Sequence, residues 1–402
     1  MPAKFMTMLY RLRSQVIRAV LKPSAQPRPL TFVGAGSALQ LCAAISALGL
    51  KKILIVTDKP LVDLGLLSST EQALLTQGIE VVIFDGVLPD PTFQIIDSGL
   101  VMAQQNQCDS VLAFGGGSSI DSAKTIALAA SNNLSPAALV GAFKAKLPSL
   151  PLFVIPTTAG TGSEATIAAV VSDNETHAKQ MIADNKLICT GCALDPALMT
   201  GLPPHITAAT GMDALTHAVE SYIGTWGTPD TRRLGRAAVN LIFEHLPTAC
   251  HSGDQLPARE AMALASYYAG IAFSQAMVGF VHAISHQLGA KYGIPHGLAN
   301  AVVLPHVLEF SREAAEVKMA ELALHAELGQ TGESNESLSG KFIDKVRALN
   351  AEVGIPIGFE QIRAEDIPVI AAAACKEGNG YPVPRYMDIR ECTQLLEGLR
   401  QS

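Results

Sequence analysis

Asp213 and His217 stand four residues apart in Gly211-Met212-Asp213-Ala214-Leu215-Thr216-His217. In a helix, four residues are just over one turn, so the carboxylate and the imidazole leave the same face. His282-Ala283-Ile284-Ser285-His286 repeats the spacing, and His296 follows ten residues later. A lone histidine is more often a core or surface residue than a ligand. Two i,i+4 pairs, one of them containing an aspartate, shift that balance. The apolar neighbours Phe280, Val281, Ile284 and Leu288 put His282 and His286 at a partly buried face, where an imidazole needs a partner. The expectation is that Asp213, His217, His282 and His296 converge on one divalent metal. Three nitrogens and one carboxylate oxygen, with room for an exogenous oxygen, suit Zn²⁺ or Fe²⁺. Ala283, not glutamate, follows His282, so the base that peptide hydrolysis needs is missing there. Cys189-Thr190-Gly191-Cys192 also has metal or redox spacing, but no second pair lies nearby and it reads as incidental.

The elements that must position these residues fall into two kinds. From Thr31 the chain alternates short β-branched runs with helical stretches: strands at 53–57, 81–84, 110–114 and 152–155, helices at 38–48, 68–77, 92–106 and 119–131. That alternation predicts a parallel sheet with helices on its faces, whose ligands bind at the carboxyl ends of the strands. Three strand ends carry suitable residues. Asp58 can accept from an adenosine ribose and repel a 2′-phosphate, favouring NAD over NADP; an N-capping role for it is equally expected. Gly115, Gly116, Gly117 and Ser118 open a helix whose free N–H groups suit a pyrophosphate, with Asp121 a turn acid or a cofactor partner. Pro156-Thr157-Thr158-Ala159-Gly160-Thr161-Gly162-Ser163-Glu164 adds hydroxyls and close backbone. After about residue 193 the period becomes helical: 205–223, 230–246, 257–274, 277–291, 298–327, 337–353 and 365–375. The expected division is a basic extension over 1–30, an α/β dinucleotide-binding domain over 31–193 and an all-helical metal-binding domain over 194–402.

Composition bounds the function. Apolar residues make up 49% and charged residues 16% of the 402, which is a core-rich globular chain. A formal charge of −7 gives no support to nucleic-acid binding. No uninterrupted apolar run is long enough to span a bilayer. Seven scattered cysteines fit a reducing compartment, and the chain is expected to be cytoplasmic. Every charged residue before Asp58 is basic, and Leu9, Leu12, Val16, Ile17, Val20 and Leu21 recur at near-helical spacing. A helix packed on the domain surface, or a solvated arm, is preferred there over a membrane-surface or targeting helix.

The residues at 115–121, 156–164, 194–222 and 279–307 together resemble the iron-containing (group III) alcohol dehydrogenase family, over nearly the whole chain from Thr31. The resemblance implies a Rossmann-like N-terminal domain and a helical C-terminal domain (the dehydroquinate synthase-like superfold) with the active site in the cleft between them. It implies the same four metal ligands, and leaves His286 as a non-ligand that relays the alcohol proton. It assigns Asp58 to the adenosine ribose, Gly116, Gly117 and Ser118 to the pyrophosphate, Thr157, Thr158 and Thr161 to the rest of the cofactor, and Lys179 to the nicotinamide ribose. Two departures stand out. Asp90 occupies a position where many members have asparagine, and the Glu377–Arg385 stretch is longer than the family's Asn-Pro-Arg form at the substrate entrance.

The chemistry expected is reversible oxidation of a primary alcohol or small diol, with hydride transfer to NAD and a divalent metal, Fe²⁺ or Zn²⁺, as Lewis acid. A homo-oligomer of at least two copies is expected. The alternatives are a glycerol dehydrogenase-like polyol enzyme and a metal-binding protein without catalysis.

Overall fold

The structure, a computed structural model, describes residue 8, residues 10–16, residue 18, residues 27–175 and residues 178–400. Leu9, Ile17, Val20, Leu21 and His177, which entered the sequence reading, lie outside the described residues. The chain forms two compact units. One is Pro27–Leu202 with Gly253–Tyr267; the other is Pro203–Ser252 with Tyr268–Ser402 and the described part of Met1–Gln26.

The first unit is built on a six-stranded parallel sheet: β1 (Leu30–Val33), β2 (Lys52–Val56), β3 (Glu80–Phe84), β4 (Ser110–Gly115), β6 (Leu152–Pro156) and β9 (Gly191–Leu194), in the order β1-β9-β6-β4-β2-β3. Crossover helices α1 (Ser37–Ala47), α2 (Lys59–Asp63), α3 (Ser68–Thr76), α4 (Phe93–Gln105) and α5 (Gly117–Asn132) connect them. Helices on both faces bury β4, β6 and β9 along their whole length, which is why Val111–Phe114 and Phe153–Ile155 read as continuous apolar runs. Leu41, Cys42 and Ile45 of α1 join Ile53, Ile55, Leu112, Phe114, Phe153 and Ile155 in one core.

Strand order reverses beside β2: β3 lies on one side of it and β4 on the other. Crevices for ligands open at such reversals. The register pairs Val56 with Ala113 and Gly115 with Pro156, so the carboxyl ends of β2, β4 and β6 are neighbours. A second, three-stranded sheet joins β5 (Gly141–Ala142), which precedes β6, to β8 (Lys179–Ala183) and β7 (Ala168–Ser172), which follow the β6 loop. The β7–β8 pair is antiparallel, with Val170 opposite Met181 and Ser172 opposite Lys179. The sequence reading did not foresee this hairpin.

The second unit is helical: α6 (Pro204–Ile223), α7 (Pro229–His251), the end of α8 (Leu256–Ala276), α9 (Phe280–Tyr292), α10 (His296–His325), α11 (Asn335–Glu352), α12 (Ile367–Gly378) and α13 (Ile389–Gly398). Every residue of α6 from Gly211 to Ile223 is buried, and the helix packs against α7 and α10. A helix buried all round is a central one, so the polar residues it carries, Asp213, Thr216, His217, Glu220 and Ser221, are buried with it. The first half of α8 belongs with the α/β unit, where Tyr267 and Thr31 share a hydroxyl hydrogen bond of 2.9 Å. Residues 10–16 are helical and rest on the helical unit through a Tyr10–Tyr386 ring stack and the Trp226 Nε1–H donating to Ser14 Oγ at 2.9 Å. No single helix among the described residues is long and apolar enough to cross a membrane.

Candidate metal centre and dinucleotide site

Helix α6 carries Asp213, His217 and Glu220, all buried, at i, i+4 and i+7. That spacing puts the three on one stripe. His282 lies in the first turn of α9 and His296 opens α10. A Cβ on Gly297 would collide with the Ala209 carbonyl, so only glycine lets the start of α10 press this closely on α6. The result brings His282 Nε2 to 3.9 Å and His296 Nε2 to 3.6 Å from Asp213 Oδ1. Ligand atoms of Asp213, His217 and His282 all lie within 4.8 Å of one another. Metal–ligand bonds of roughly 2.1 Å in a tetrahedron give ligand–ligand edges of about 3.4 Å, so small side-chain shifts close the set on a first-row ion.

The charge and protonation of the cluster test whether a cation fits. Glu220 Oε2 lies 2.6 Å from His282 Nδ1, and Glu220 also accepts from the Gly279 and Val281 N–H groups at 2.8 and 2.7 Å. Burial pushes the Glu220 carboxyl up to about 8, while those backbone donors pull it down. In the tautomer that donates its Nδ1–H to an ionised Glu220, His282 turns an Nε2 lone pair to the cluster, as a metal ligand requires. The Asn300 amide nitrogen sits among the acceptors, at 2.7 Å from Asp213 Oδ1, 3.1 Å from His296 Nε2 and 3.3 Å from His282 Nε2. Asn300 Oδ1 is buried and takes no hydrogen bond. Asp213 Oδ1 and two imidazole nitrogens therefore face one electropositive –NH₂ group. This donor set suits a positive ion.

His286 stands one turn along α9 from His282. Its ring stacks on that of His296 with centroids 5.3 Å apart, and its Nδ1 lies 2.6 Å from Glu377 Oε1. Gln287 and Tyr381 donate to the same carboxylate at 2.9 and 2.8 Å. Glu377 thus fixes the His286 ring and tautomer and leaves Nε2 as the open nitrogen.

In the α/β unit the three expected strand ends come together. Helix α5 begins at Gly117 with no side-chain cap on its N-terminus, which leaves its first N–H groups for an anion. Gly115 has φ 149°, and a Cβ there would strike Ser119. A Cβ on Gly117 would sit 2.7 Å from Thr161 Cγ2, and one on Gly116 would sit 3.4 Å from Thr158 Oγ1. The threonine loop therefore lies directly against the glycine turn, and Thr157 N–H donates to the Gly115 carbonyl at 3.0 Å. Asp58 caps α2: the Leu61 N–H donates to its Oδ1 at 3.0 Å, and burial raises its pKa. The capping role expected for it is present, with Oδ2 remaining.

Two expected cofactor residues are engaged within the fold. Asp121 accepts from Ser163 Oγ at 2.5 Å and from the Val170 N–H at 2.9 Å, so both of its oxygens hold the threonine loop and β7. Lys179 Nζ pairs with Asp90 Oδ1 at 3.0 Å, and Asp90 has a left-handed φ of 52°. Asparagine tolerates that conformation as readily as aspartate does.

Sequence reasoning passed over several supporting residues. Glu220 and Asn300 had a signal: one lies seven residues after Asp213, the other four after His296. Lys124 had none. It is fully buried, and its Nζ donates to Thr166 Oγ1, Thr166 O, Ala168 O and Ser163 Oγ at 2.8, 2.9, 2.8 and 3.2 Å. Burial pulls its pKa down, with Asp121 opposing. The two cysteines of the 189–192 pair are buried and free, and Cys189 Sγ donates to the Glu164 carbonyl at 3.2 Å.

Comparison with known proteins places the whole chain in one family. Residues 29–196 match the iron-containing alcohol dehydrogenase family, and residues 207–399 match the C-terminal domain of the Fe-containing alcohol dehydrogenase family. The chain is 36% identical over 371 residues to the NAD-dependent methanol dehydrogenase of Bacillus methanolicus, covering 92% of this chain and 97% of that one. It is 40% identical over 353 residues to the 1,3-propanediol dehydrogenase of Klebsiella pneumoniae, covering 87% and 91%. A crystal structure of a 1,3-propanediol oxidoreductase superposes with a TM-score of 0.89 at 38% identity, over 92% of this chain and 97% of that chain. An α/β dinucleotide fold followed by a helical unit with a buried aspartate–histidine cluster accounts for these matches, and the chain belongs to the iron-containing alcohol dehydrogenase family, as an NAD-dependent, metal-containing alcohol dehydrogenase.

Proposed function

We propose that Asp213, His217, His282 and His296 hold one divalent ion, Fe²⁺ or Zn²⁺, and that the substrate is a primary alcohol or small diol, oxidised reversibly to its aldehyde with NAD. The observation that carries this is the convergence of Asp213 Oδ1, His282 Nε2 and His296 Nε2 on the single Asn300 amide. When bound, the ion supplies Lewis acidity, which lowers the pKa of an alcohol hydroxyl. Asp213 is the one carboxylate among the four, so the set stays net positive toward an incoming oxygen. Glu220 keeps the His282 ring from turning. His286 receives the alcohol proton at Nε2, and Glu377 holds that ring by its Nδ1.

The cofactor is positioned by Gly115, Gly116, Gly117 and Ser118 at the pyrophosphate, by Thr157, Thr158 and Thr161 beside it, and by Asp58 Oδ2 at the adenosine ribose. An acid at the ribose favours NAD over NADP. Lys179 exchanges Asp90 for the nicotinamide ribose. Asp121 acts from behind, tying the threonine loop to α5. Names of relatives that act on methanol and 1,3-propanediol support a small substrate. Free cysteines support a reducing, cytoplasmic location, and the active form is a homodimer or larger.

The test is a panel of straight-chain alcohols and diols followed by nicotinamide absorbance, with metal analysis of the same preparation. Turnover of short primary alcohols or diols, with about one ion per chain, is the expected result. A metal-free preparation with full turnover would overturn the proposed site.

A further inference from the structure

The N-terminal helical segment has two faces. Tyr10, Ser14 and Arg18 share one and dock on the helical unit: Tyr10 on the Tyr386 ring, Ser14 on Trp226 Nε1, and Arg18 Nη2 on the Trp226 carbonyl at 3.2 Å. Met8, Leu12 and Val16 share the opposite face, since residues four apart align along a helix. They are 68%, 55% and 54% exposed. Arg11 and Arg13 flank that stripe, one on each side of Leu12, and both are exposed.

The charge pattern selects the occupant. The described charged residues of the segment, Arg11, Arg13 and Arg18, are all basic, and Lys4 and Lys22 flank them in the sequence. All 36 acids lie from Asp58 onward, and the whole chain is net negative at −7. A second copy docked stripe to stripe brings its own arginines against these. An anionic lipid surface offers phosphate for the arginines and acyl chain for methionine, leucine and valine, the arrangement of an interfacial helix. We propose that the Met8–Leu12–Val16 stripe and its flanking arginines, Arg11 and Arg13, dock the enzyme reversibly on an anionic membrane surface. The contact is peripheral: three apolar side chains enter the headgroup boundary and none spans the bilayer.

The experiment uses the full chain and vesicles of phosphatidylethanolamine with about 30 mol% phosphatidylglycerol, against vesicles of phosphatidylcholine alone. The wild-type protein is expected to co-sediment with the anionic vesicles only. It should be released near 1 M salt, where the screening length falls to about 3 Å. Leu12→Asp with Val16→Asp should lower the vesicle-bound fraction by about tenfold, and Arg11→Ala with Arg13→Ala by several-fold. Trp226 is the single tryptophan. Its emission should be unchanged in both variants, reporting that the helix stays docked, and turnover of a soluble alcohol should be unchanged too. Wild-type protein that stays in the supernatant, or variants that sediment as it does, would overturn the proposal. So would a Leu12→Asp variant whose molar mass by light scattering falls while vesicle binding persists, because the stripe would then be a contact between copies.

Discussion

The two sites are made in different ways. In the helical unit the proposed site is built on side chains, and a few regular helices place them: Asp213, His217 and Glu220 on α6, His282 and His286 on α9, His296 and Asn300 on α10. In the α/β unit it sits on backbone, in a glycine turn at the end of β4 and a threonine loop at the end of β6. The first is rigid because helices are rigid. The second needs a fastener, and Lys124 and Asp121 provide it by holding Ser163, Thr166, Ala168 and Val170. A side-chain site fails where one ligand is removed. A backbone site fails where its support is removed, at residues that never touch the ligand.

That contrast can be broken, most severely at His282. His282→Ala should abolish both metal retention and turnover, with turnover down by at least about a thousandfold, since it deletes a ligand and leaves Glu220 buried without its imidazole. Full turnover in metal-free mutant protein would sink the side-chain account. Lys124→Met should destabilise the fold by about 3 kcal/mol in urea unfolding, because Asp121 and four acceptor atoms lose their cation. The same variant should weaken NADH binding, read by fluorescence, about tenfold while metal content stays at the wild-type level. An unshifted unfolding midpoint would count against the fastener.

Glu220→Gln sharpens the comparison on the metal side. It should cost ten- to a hundredfold in metal affinity by competitive chelator titration, with little change in NADH binding. Equal loss of both would merge the two sites into one structural effect. The smallest effect is expected for Asp58→Gly, which should shift the ratio of catalytic efficiencies toward NADP by about tenfold. Glycine is a tolerable N-cap, so loss of the Leu61 contact should cost only about a few tenths of a kcal/mol. An unchanged ratio would remove Asp58 from the ribose.

Legibility followed the same division. Helical spacing announced Asp213/His217 and His282/His286 directly, and the i+7 and i+4 positions of Glu220 and Asn300 were readable by the same rule. The parallel sheet was readable because strands buried on both faces are continuous apolar runs. The β7–β8 hairpin was not, since Lys179–Ala183 is short and lacks the alternation of a half-buried strand. Glu377 was not readable as the partner of His286, 91 residues away, nor Lys124 as the partner of a loop 39 to 44 residues on. A buried lysine looks like any other lysine until its surroundings are known.

The sequence by itself determined the local geometry: which faces of α6, α9 and α10 carry the aspartate and the histidines, and which strand ends carry glycine, threonine and aspartate. Backbone periodicity is a property of neighbours in the chain, so it needs no fold to be read. Only the tertiary structure decided that Asn300 would sit among Asp213, His282 and His296, that Glu220 and Glu377 would lie against Nδ1 of His282 and His286, and that Asp121 would face inward. It also divided the N-terminal segment into a docked face and an exposed one. Hydrogen bonds between distant segments depend on packing distance and burial, and neither is written in residue spacing.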